Sequence, residues 1–570
     1  MPAMNSNELY WGDNLEVLDK HFAARQETVD LIYLDPPFNS AQNYNVLFKE
    51  RDGTRSSAQI KAFTDTWQWD QKASATFDMT IVAGGKLARV MQAFRATVGD
   101  SDMLAYLSMM APRLKALHGL LKPSGSLYLH CDPTASHYLK LLLDAVFGPD
   151  KFRSEIIWKR SSAHNDGKQG RRQHGHIHDV LLFYTKGETW TWNTLHTPYD
   201  EDYAREFYKY VEQGSGRRYR ISDLTAAKPG GDTSYEWKGR KPYRGRYWAY
   251  SKENMAEFEA QGRLYYPKGK GTPAYKRYLD EMPGVALQDL WTDIRPIGPK
   301  AAERLGYPTQ KPEALLERII ESSTNPGDLV LDPFCGCGTA IAAAQRLGRR
   351  WIGIDITEIA INLIKHRLVT AYGPDVLFKV KGEPTTIEEA RHLAESSDKY
   401  QFQLWALGLV GARPHELKKG ADGGVDGRLY FHGGTSDNRL EQIVISVKGG
   451  ALHATYVRDL IGTMQLEDAA MAVLVSFEEP TSAMRKTAVA AGNYQSRWGL
   501  HPRVQLLTVA ELMAGKRIDY PAVTGINQTF TPSPKVDRRV SKPLTLFDAP
   551  VRPTSRHSGT AKRARNRGRG

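Results

Sequence analysis

Two stretches decide the reading of this chain: Leu31-Ile32-Tyr33-Leu34-Asp35-Pro36-Pro37-Phe38-Asn39 and Leu331-Asp332-Pro333-Phe334-Cys335-Gly336-Cys337-Gly338-Thr339. Each is an apolar run that ends in an acid, followed in one case by two prolines and an aromatic and in the other by a glycine-rich turn. Continuous apolar runs of this length mark strands buried on both faces, and an acid at the end marks where the strand leaves the core. Working outward, Leu9–Trp11 reads as a strand ending at Gly12-Asp13, with a helix from Asn14. Asp328–Leu331, a helix from about Thr339 and the strand Trp351–Asp355 form a second strand-helix-strand unit. Between them the spacing predicts a helix over 100–121, a strand over Ser126–Cys131, a helix over Thr134–Val146 and paired strands at Ser154–Trp158 and Val180–Tyr184. Further helices are expected over Glu313–Ser322 and Ile359–Leu368, and a loop with some helix over 50–80. The alternation of strands and helices points to an α/β fold with a Rossmann-like sheet.

A strand ending in Asp332, a glycine turn and a helix make a nucleotide-binding βα unit. Glycines let the backbone approach a ligand, and the helix start offers free N–H groups. The acid that ends the next strand, Asp355, suits a ribose diol. Such a turn can equally be structural, and the phosphate-binding patterns G-x-G-x-x-G and GK[ST] are absent. Asp35 sits at the carboxyl edge of the sheet, where ligands bind in open α/β folds. Pro36 and Pro37 stiffen the backbone there and remove two N–H donors. Taken alone, this is also a plain rigid turn.

Asp-Pro-Pro-Phe after a strand resembles the catalytic motif of amino-methyltransferases that act on DNA bases. The Asp-Pro-Phe-x-Gly-x-Gly-Thr turn resembles their S-adenosylmethionine loop. Tyr307-Pro308-Thr309-Gln310-Lys311-Pro312 is similar to the segment that precedes that loop, and Gly12-Asp13 to the family's first strand end. The catalytic motif precedes the cofactor motif, the permuted order of the β class of bacterial N4/N6 DNA methyltransferases, near the Mod subunits of type III systems. The resemblance covers about residues 5–375.

It implies S-adenosylmethionine held by Asp13, Thr309, Lys311, Asp332, Phe334, Gly336, Gly338 and Asp355, and catalysis by Asp35, Pro36, Pro37 and Phe38. For Asp13 a helix N-cap is the competing role. The Asp35 carboxylate and the Pro36 carbonyl would accept the two N6 hydrogens of a flipped adenine while Phe38 stacks on the base. Asp rather than Ser before Pro-Pro favours adenine N6 over cytosine N4. Methylation at cytosine C5 needs a thiol nucleophile, and none of the three cysteines follows a proline as in that class.

Residues 187–300 are rich in Tyr, Trp, Arg, Lys and Gly and occupy the family's target-recognition position within a methyltransferase domain of 1–375. A second domain is expected over 385–525. There Asp426, a strand and Lys448 resemble Mrr-type PD-(D/E)xK nucleases, with Asp426 holding Mg²⁺ and Lys448 orienting water. Ser446 stands where that family carries a second ligand, and Glu416 or Asp422 would have to compensate. Both a nuclease and a DNA- or protein-binding module remain open. With cleavage, the chain would be a bifunctional restriction-modification enzyme.

Composition sets outer bounds. A length of 570 residues fits two or three domains, and a 41% hydrophobic share supports real cores. No run reaches the ~18 apolar residues of a spanning helix. The N-terminus lacks the form of a signal peptide. Three cysteines are no disulfide framework, so a reducing cytoplasm is expected. Cys335 and Cys337 lack two further zinc ligands nearby. The net charge of +13 is uneven: residues 535–570 carry eleven Lys and Arg against two Asp, so 530–570 reads as a disordered basic tail. The expected partners are double-stranded DNA, and a second copy of the chain or a restriction subunit, with no membrane.

Overall fold

The computed structural model describes residues 6–521 except 38–42, 50–54, 65–67, 162–171, 173, 231–232, 299, 308, 396–398, 415–423 and 433–439. Only backbone is described for 43–49, 55–64, 399, 432 and 440. Phe38, Glu416, Asp422 and the basic tail therefore lie outside the described residues.

A nine-stranded sheet organises the first part of the chain. Its strands are β1 (Asn7–Trp11), β2 (Val29–Leu34), β3 (Leu121–Cys131), β4 (Phe152–Lys159), β5 (His178–Thr185), β6 (Leu290–Trp291), β7 (Leu329–Asp332), β8 (Arg350–Asp355) and β9 (Phe378–Lys381), in the spatial order β6-β4-β5-β3-β2-β7-β8-β1-β9. Every neighbouring pair is parallel except those of β5, which runs against both β3 and β4. The two deciding stretches are adjacent: Val330 pairs with Leu31 and Leu331 with Ile32. All six residues of β2 are buried, as the continuous apolar run requires.

Five helices, α1 (Asn14–Phe22), α2 (Gln71–Val82), α3 (Gly85–Val98), α4 (Asp102–Leu120) and α5 (Pro133–Phe147), share one core with a face of this sheet, built on Leu18, Met91, Leu107, Leu114, Leu142, Ile32 and Leu331. Helices α6 (Glu313–Ser323), α7 (Thr339–Arg346) and α8 (Glu358–Tyr372) pack against β2, β7, β8 and β1. The loop-with-helix expected over 50–80 is different: Asn43–Lys49 and Arg55–Thr64 pair as an antiparallel hairpin, followed by α2 and α3. Gly84 and Gly85, at φ of 69° and 81°, break what would be one long helix into these two.

Residues 194–287 form a compact unit of their own. It holds a four-stranded sheet of Leu264–Tyr265, Ala274–Tyr278, Arg218–Asp223 and Tyr210–Val211, and a small core of Leu224, Trp237, Trp248, Met255 and Leu264. Many of its arginines are spent internally. Arg217 pairs with Asp280 and Glu281, and Arg246 with Asp223.

The C-terminal part belongs to the same compact unit as the large sheet. Helices α9 (Ile387–Glu395) and α10 (Lys399–Leu409) precede a five-stranded sheet of β10 (Arg413–Pro414), β11 (Gly427–His432), β12 (Leu440–Lys448), β13 (Met471–Ser476) and β14 (Val504–Thr508). Phe402, Trp405 and Leu407 of α10 cover one face, and α11 (Thr455–Leu466) and α12 (Ser482–Ala490) the other. Leu404 of α10 also packs with Tyr307, Cys337, Ile359 and Leu363, behind the glycine turn.

Candidate active site

Four adjacent strands, β2-β7-β8-β1, deliver their carboxyl ends to one place, and each ends at or beside an acid: Asp35, Asp332, Asp355 and Asp13. Parallel strands in register must do this, which is why open α/β sheets bind ligands along that edge. The four acids line a single cavity of about 230 Å³. Pro36, Pro37, Thr309, Lys311, Phe334 and Gly336 line it too.

Gly336 adopts φ +48°, and a Cβ on it would stand 3.2 Å from the Tyr307 ring. Its N–H donates to Asp355 Oδ2 at 2.8 Å, while Asp355 Oδ1 accepts from the Thr357 N–H and hydroxyl. Gly338 is placed differently from the expectation. It does not line the cavity but begins α7 in a left-handed conformation, packed against Ile364. Burial pushes the Asp332 carboxyl well above its usual range, and Asp355 upward in the same direction. A cationic occupant of the cavity would offset that burial and favour their charged forms.

Asp35 has a partner that the sequence did not suggest. Lys311 Nζ donates to both carboxylate oxygens, at 2.7 and 2.6 Å. Thus Lys311, expected at the cofactor's methionine end, stands between the two halves of the site.

Asp13 caps α1, accepting from the N–H groups of Leu15 and Glu16, and it also lines the cavity. Arg113 Nη2 donates to both its oxygens at 2.9 and 2.7 Å. Arg113 further reaches Asn14 Oδ1 at 2.5 Å, and Asn14 Nδ2 donates to the Pro333 carbonyl at 2.8 Å. This buried arginine ties the first strand end to the glycine turn. Sequence reading missed it, although a charge amid the apolar stripe of Met109, Leu114 and Leu117 was the available signal. Behind Asp35, Tyr33, His130 and Asp179 form a second buried polar group that went unread.

In the C-terminal sheet, Asp426 stands beside β12. Its oxygens accept from Gln403 Nε2 at 3.2 Å, Ser446 Oγ at 3.2 Å and the Val447 N–H at 2.6 Å, with Lys448 Nζ at 3.8 Å. Lys448 is thus brought to Asp426. Among the described residues, no group of three His, Cys, Asp or Glu is placed to hold a metal ion. Nor is any described helix long and apolar enough to cross a membrane.

With its mainly parallel α/β sheet and its acid-rimmed pocket, the chain falls in a known class. Residues 29–366 match the N6_N4_Mtase family, described as DNA methylase, and the chain belongs to that family. Residues 399–513 match a family described as NACHT-associated inactive Restriction Endonuclease 1. The type II methyltransferase M.EcaI of Enterobacter cloacae is 33% identical over 305 residues, 52% of this chain and 66% of that protein. The Mod subunit of the type III restriction-modification enzyme StyLTI of Salmonella typhimurium is 28% identical over 355 residues, 60% of this chain and 50% of that one. The DNA adenine methyltransferase YhdJ of Escherichia coli is 25% identical over 66% of this chain and 87% of its own length. The chain therefore spans about two thirds of the first of these relatives and half of the second. Among solved structures, the M1.HpyAVI–SAM complex matches with a TM-score of 0.30 and 16% identity over 63% of this chain and 98% of that one. The cytosine-N4-specific PvuII DNA methyltransferase gives 0.28 and 15% over 63% and 86%.

Proposed function

We propose that this protein is a site-specific DNA methyltransferase of restriction-modification or host DNA marking, acting on adenine N6 of double-stranded DNA after base flipping. The observation that carries the reading is the meeting of Asp35, Asp332, Asp355 and Asp13 around one cavity. The donor cofactor is S-adenosylmethionine, which supplies an electrophilic methyl on a sulfonium.

The residues fit that molecule. Asp332 and Asp355 offer buried carboxylates to its cationic groups and ribose hydroxyls. Lys311 offers an ammonium to its carboxylate, and Tyr307 and Phe334 offer apolar ring surface. Gly336 keeps the loop close, because any side chain there would meet Tyr307. Asp35 and the Pro36 carbonyl accept the amine hydrogens and aim the nitrogen lone pair, and Phe38 supplies the stacking surface. Holding two reactants in line is the main source of rate in such a site. Residues 187–300 read the target sequence, with Arg and Lys on phosphates and base edges. The protein works with a second copy of itself or with a restriction subunit.

We read the C-terminal domain as a restriction-endonuclease-like fold used for binding. Three hydrogen-bond donors already occupy the oxygens that Mg²⁺ would need on Asp426. Cleavage with Mg²⁺ remains the second reading, favoured by the approach of Lys448 to Asp426. Incubating the purified chain with duplex DNA and S-adenosylmethionine, then digesting to nucleosides, tests the main proposal. N6-methyladenine is expected, and N4-methylcytosine as the sole product refutes the choice of base. Plasmid nicking that requires Mg²⁺ and is lost in Lys448→Ala would establish the second reading.

A further inference from the structure

A row of polar groups crosses one face of the sheet from the cavity outward. Tyr33 of β2 lines the cavity, and its hydroxyl lies 2.9 Å from His130 Nδ1 on β3. His130 Nε2 lies 3.1 Å from Asp179 Oδ2 on β5. Arg160, just past β4, comes within 2.9 Å of Asp179 Oδ1, as an ion pair off the hydrogen-bond direction. β2, β3, β5 and β4 are consecutive in the sheet, and the register sets these groups diagonally on one face: Tyr33 pairs with Tyr128, two before His130, His130 pairs with Leu181, two beyond Asp179, and Asp179 pairs with Trp158, two before Arg160. Tyr33, His130 and Asp179 are 2%, 0% and 2% exposed.

Burying three such groups is costly unless they are mutually satisfied. A carboxylate only accepts, so His130 carries its proton on Nε2 and leaves Nδ1 to accept from the Tyr33 hydroxyl. This is the arrangement by which an acid fixes a histidine tautomer and stabilises the imidazolium when it forms. Burial raises the Asp179 carboxyl, but the His130 hydrogen bond and the charges of Lys311 and Arg160 outweigh it, and Asp179 stays below the usual range. Burial holds the Tyr33 phenol far above its ordinary value, with Asp35, Asp332 and Asp179 adding to the effect, so it stays a hydroxyl. The Cys131 thiol, next in the strand, is likewise kept protonated by burial, with the charges of Asp132, Asp179, Glu155 and Asp35 adding to the effect.

Methylation of an amine releases a proton. As the new nitrogen–carbon bond forms and the sulfur–methyl bond breaks, the nitrogen becomes cationic and sheds one hydrogen. Asp35 accepts hydrogen bonds from the amine, but both its oxygens face the Lys311 ammonium, which makes it a poor place to leave that proton.

We propose that Tyr33, His130 and Asp179 are a proton relay that takes the hydrogen lost by the acceptor amine, an inference that rests on the methyltransferase reading above. The Tyr33 oxygen receives the amine proton as its own hydrogen passes to His130 Nδ1. The imidazolium so formed is held against Asp179. After product leaves, the same path returns the proton to water in the cavity. Tyr33 is the point of entry, and His130 and Asp179 act through it as positioning residues.

The decisive variant is His130→Gln. Its amide still accepts from Tyr33 and donates to Asp179, so a static network survives, but it takes up no proton. Single-turnover methylation should fall about 100-fold in His130→Gln and in Tyr33→Phe, on the scale of general acid–base catalysis. Affinities for S-adenosylmethionine and DNA should hold, and the solvent deuterium isotope effect of the wild type should vanish. A His130→Gln rate equal to wild type shows that the network only positions Tyr33, and overturns the relay. A second readout needs no cofactor. In the full chain with ¹⁵N-labelled histidine, the resonance lost in His130→Gln should report a proton on Nε2 and a bare Nδ1, and a proton on Nδ1 overturns the relay. A wild-type chain that methylates no DNA overturns the methyltransferase reading itself, and the relay with it.

Discussion

Asp35 and Asp426 look alike in sequence and differ in the fold. Each is an acid at the end or start of an apolar strand, and each has a lysine within reach, Lys311 at 2.6 Å and Lys448 at 3.8 Å. Asp35 opens on a cavity shared with three other strand-end acids. Asp426 is turned inward, its oxygens taken by Gln403, Ser446 and the Val447 backbone. An acid and a lysine in the right order do not make a site. Convergence of several chemically distinct groups on an open volume does, and that is a property of the sheet edge rather than of the motif.

The largest test of this contrast is at Asp35. Asp35→Ala should cost at least ~100-fold in methylation rate, the scale of groups that act in the transition state. S-adenosylmethionine binding, measured by calorimetry, should survive. Asp426→Ala in the same assay should leave methylation within about twofold. Equal losses from both replacements would erase the distinction.

The second test separates cofactor from chemistry. Asp355→Ala and Gly336→Val should each weaken S-adenosylmethionine about 10-fold or more. The first removes a buried charge-assisted acceptor. The second drives a branched side chain toward Tyr307 from a left-handed backbone. Unchanged affinity in both variants would move the cofactor out of this cavity.

What sequence could reveal follows the same line. β2, β7 and β8 were readable because strands buried on both faces leave continuous apolar runs, and their terminal acids are then conspicuous. The placing of Asp13, Asp35, Asp332 and Asp355 in one site came from the family resemblance, and the strand order that brings them together is a property of the fold. Other features were hidden because they depend on register. The Lys311–Asp35 pair joins residues 276 positions apart, and Arg113 meets Asp13 across 100. His130 and Asp179 gave no local signal, since a lone polar residue in a strand reads as solvent-facing until its neighbours are known. The hairpin at Asn43–Lys49 and Arg55–Thr64 was missed among polar residues, although Asp52-Gly53 between its strands is a hairpin dipeptide.

A third test asks what Asp426 does for its own domain. Asp426→Ala leaves the Gln403 amide, the Ser446 hydroxyl and the Val447 N–H without an acceptor. It should destabilise the C-terminal domain by about 1–3 kcal/mol, read as an earlier denaturant transition. Leu404 of α10 packs behind the glycine turn, so a small loss of cofactor affinity should accompany it. A stable Asp426→Ala protein that has lost Mg²⁺-dependent cleavage would instead make Asp426 a metal ligand.

The smallest effect on methylation belongs to Glu358, a third kind of acid, which neither lines the cavity nor is saturated by donors. It is 1% exposed, and its Oε2 has no hydrogen-bond partner among the described residues. Burial first, and Glu383 second, push its carboxyl from 4.5 up to about 8, against the pull of Lys365 and Asn362. The sign is set by which state holds the proton more tightly. The folded chain does, so the stability that goes with the neutral acid is fully present below pH 4.5 and is lost as pH rises through about 8. Glu358→Gln removes the titration and keeps the shape. Its gain in stability should therefore be negligible in acid, grow steadily through neutrality and level off above pH 8, on the order of a few kcal/mol. Methylation at neutral pH should be unchanged, because Glu358 takes no part in the cavity wall. Thermal melts across that range decide the matter: a change in Tm that does not grow with pH would mean that Glu358 keeps an ordinary pKa in the folded protein, and a loss of Tm at neutral pH would place it with Asp426 rather than apart from it.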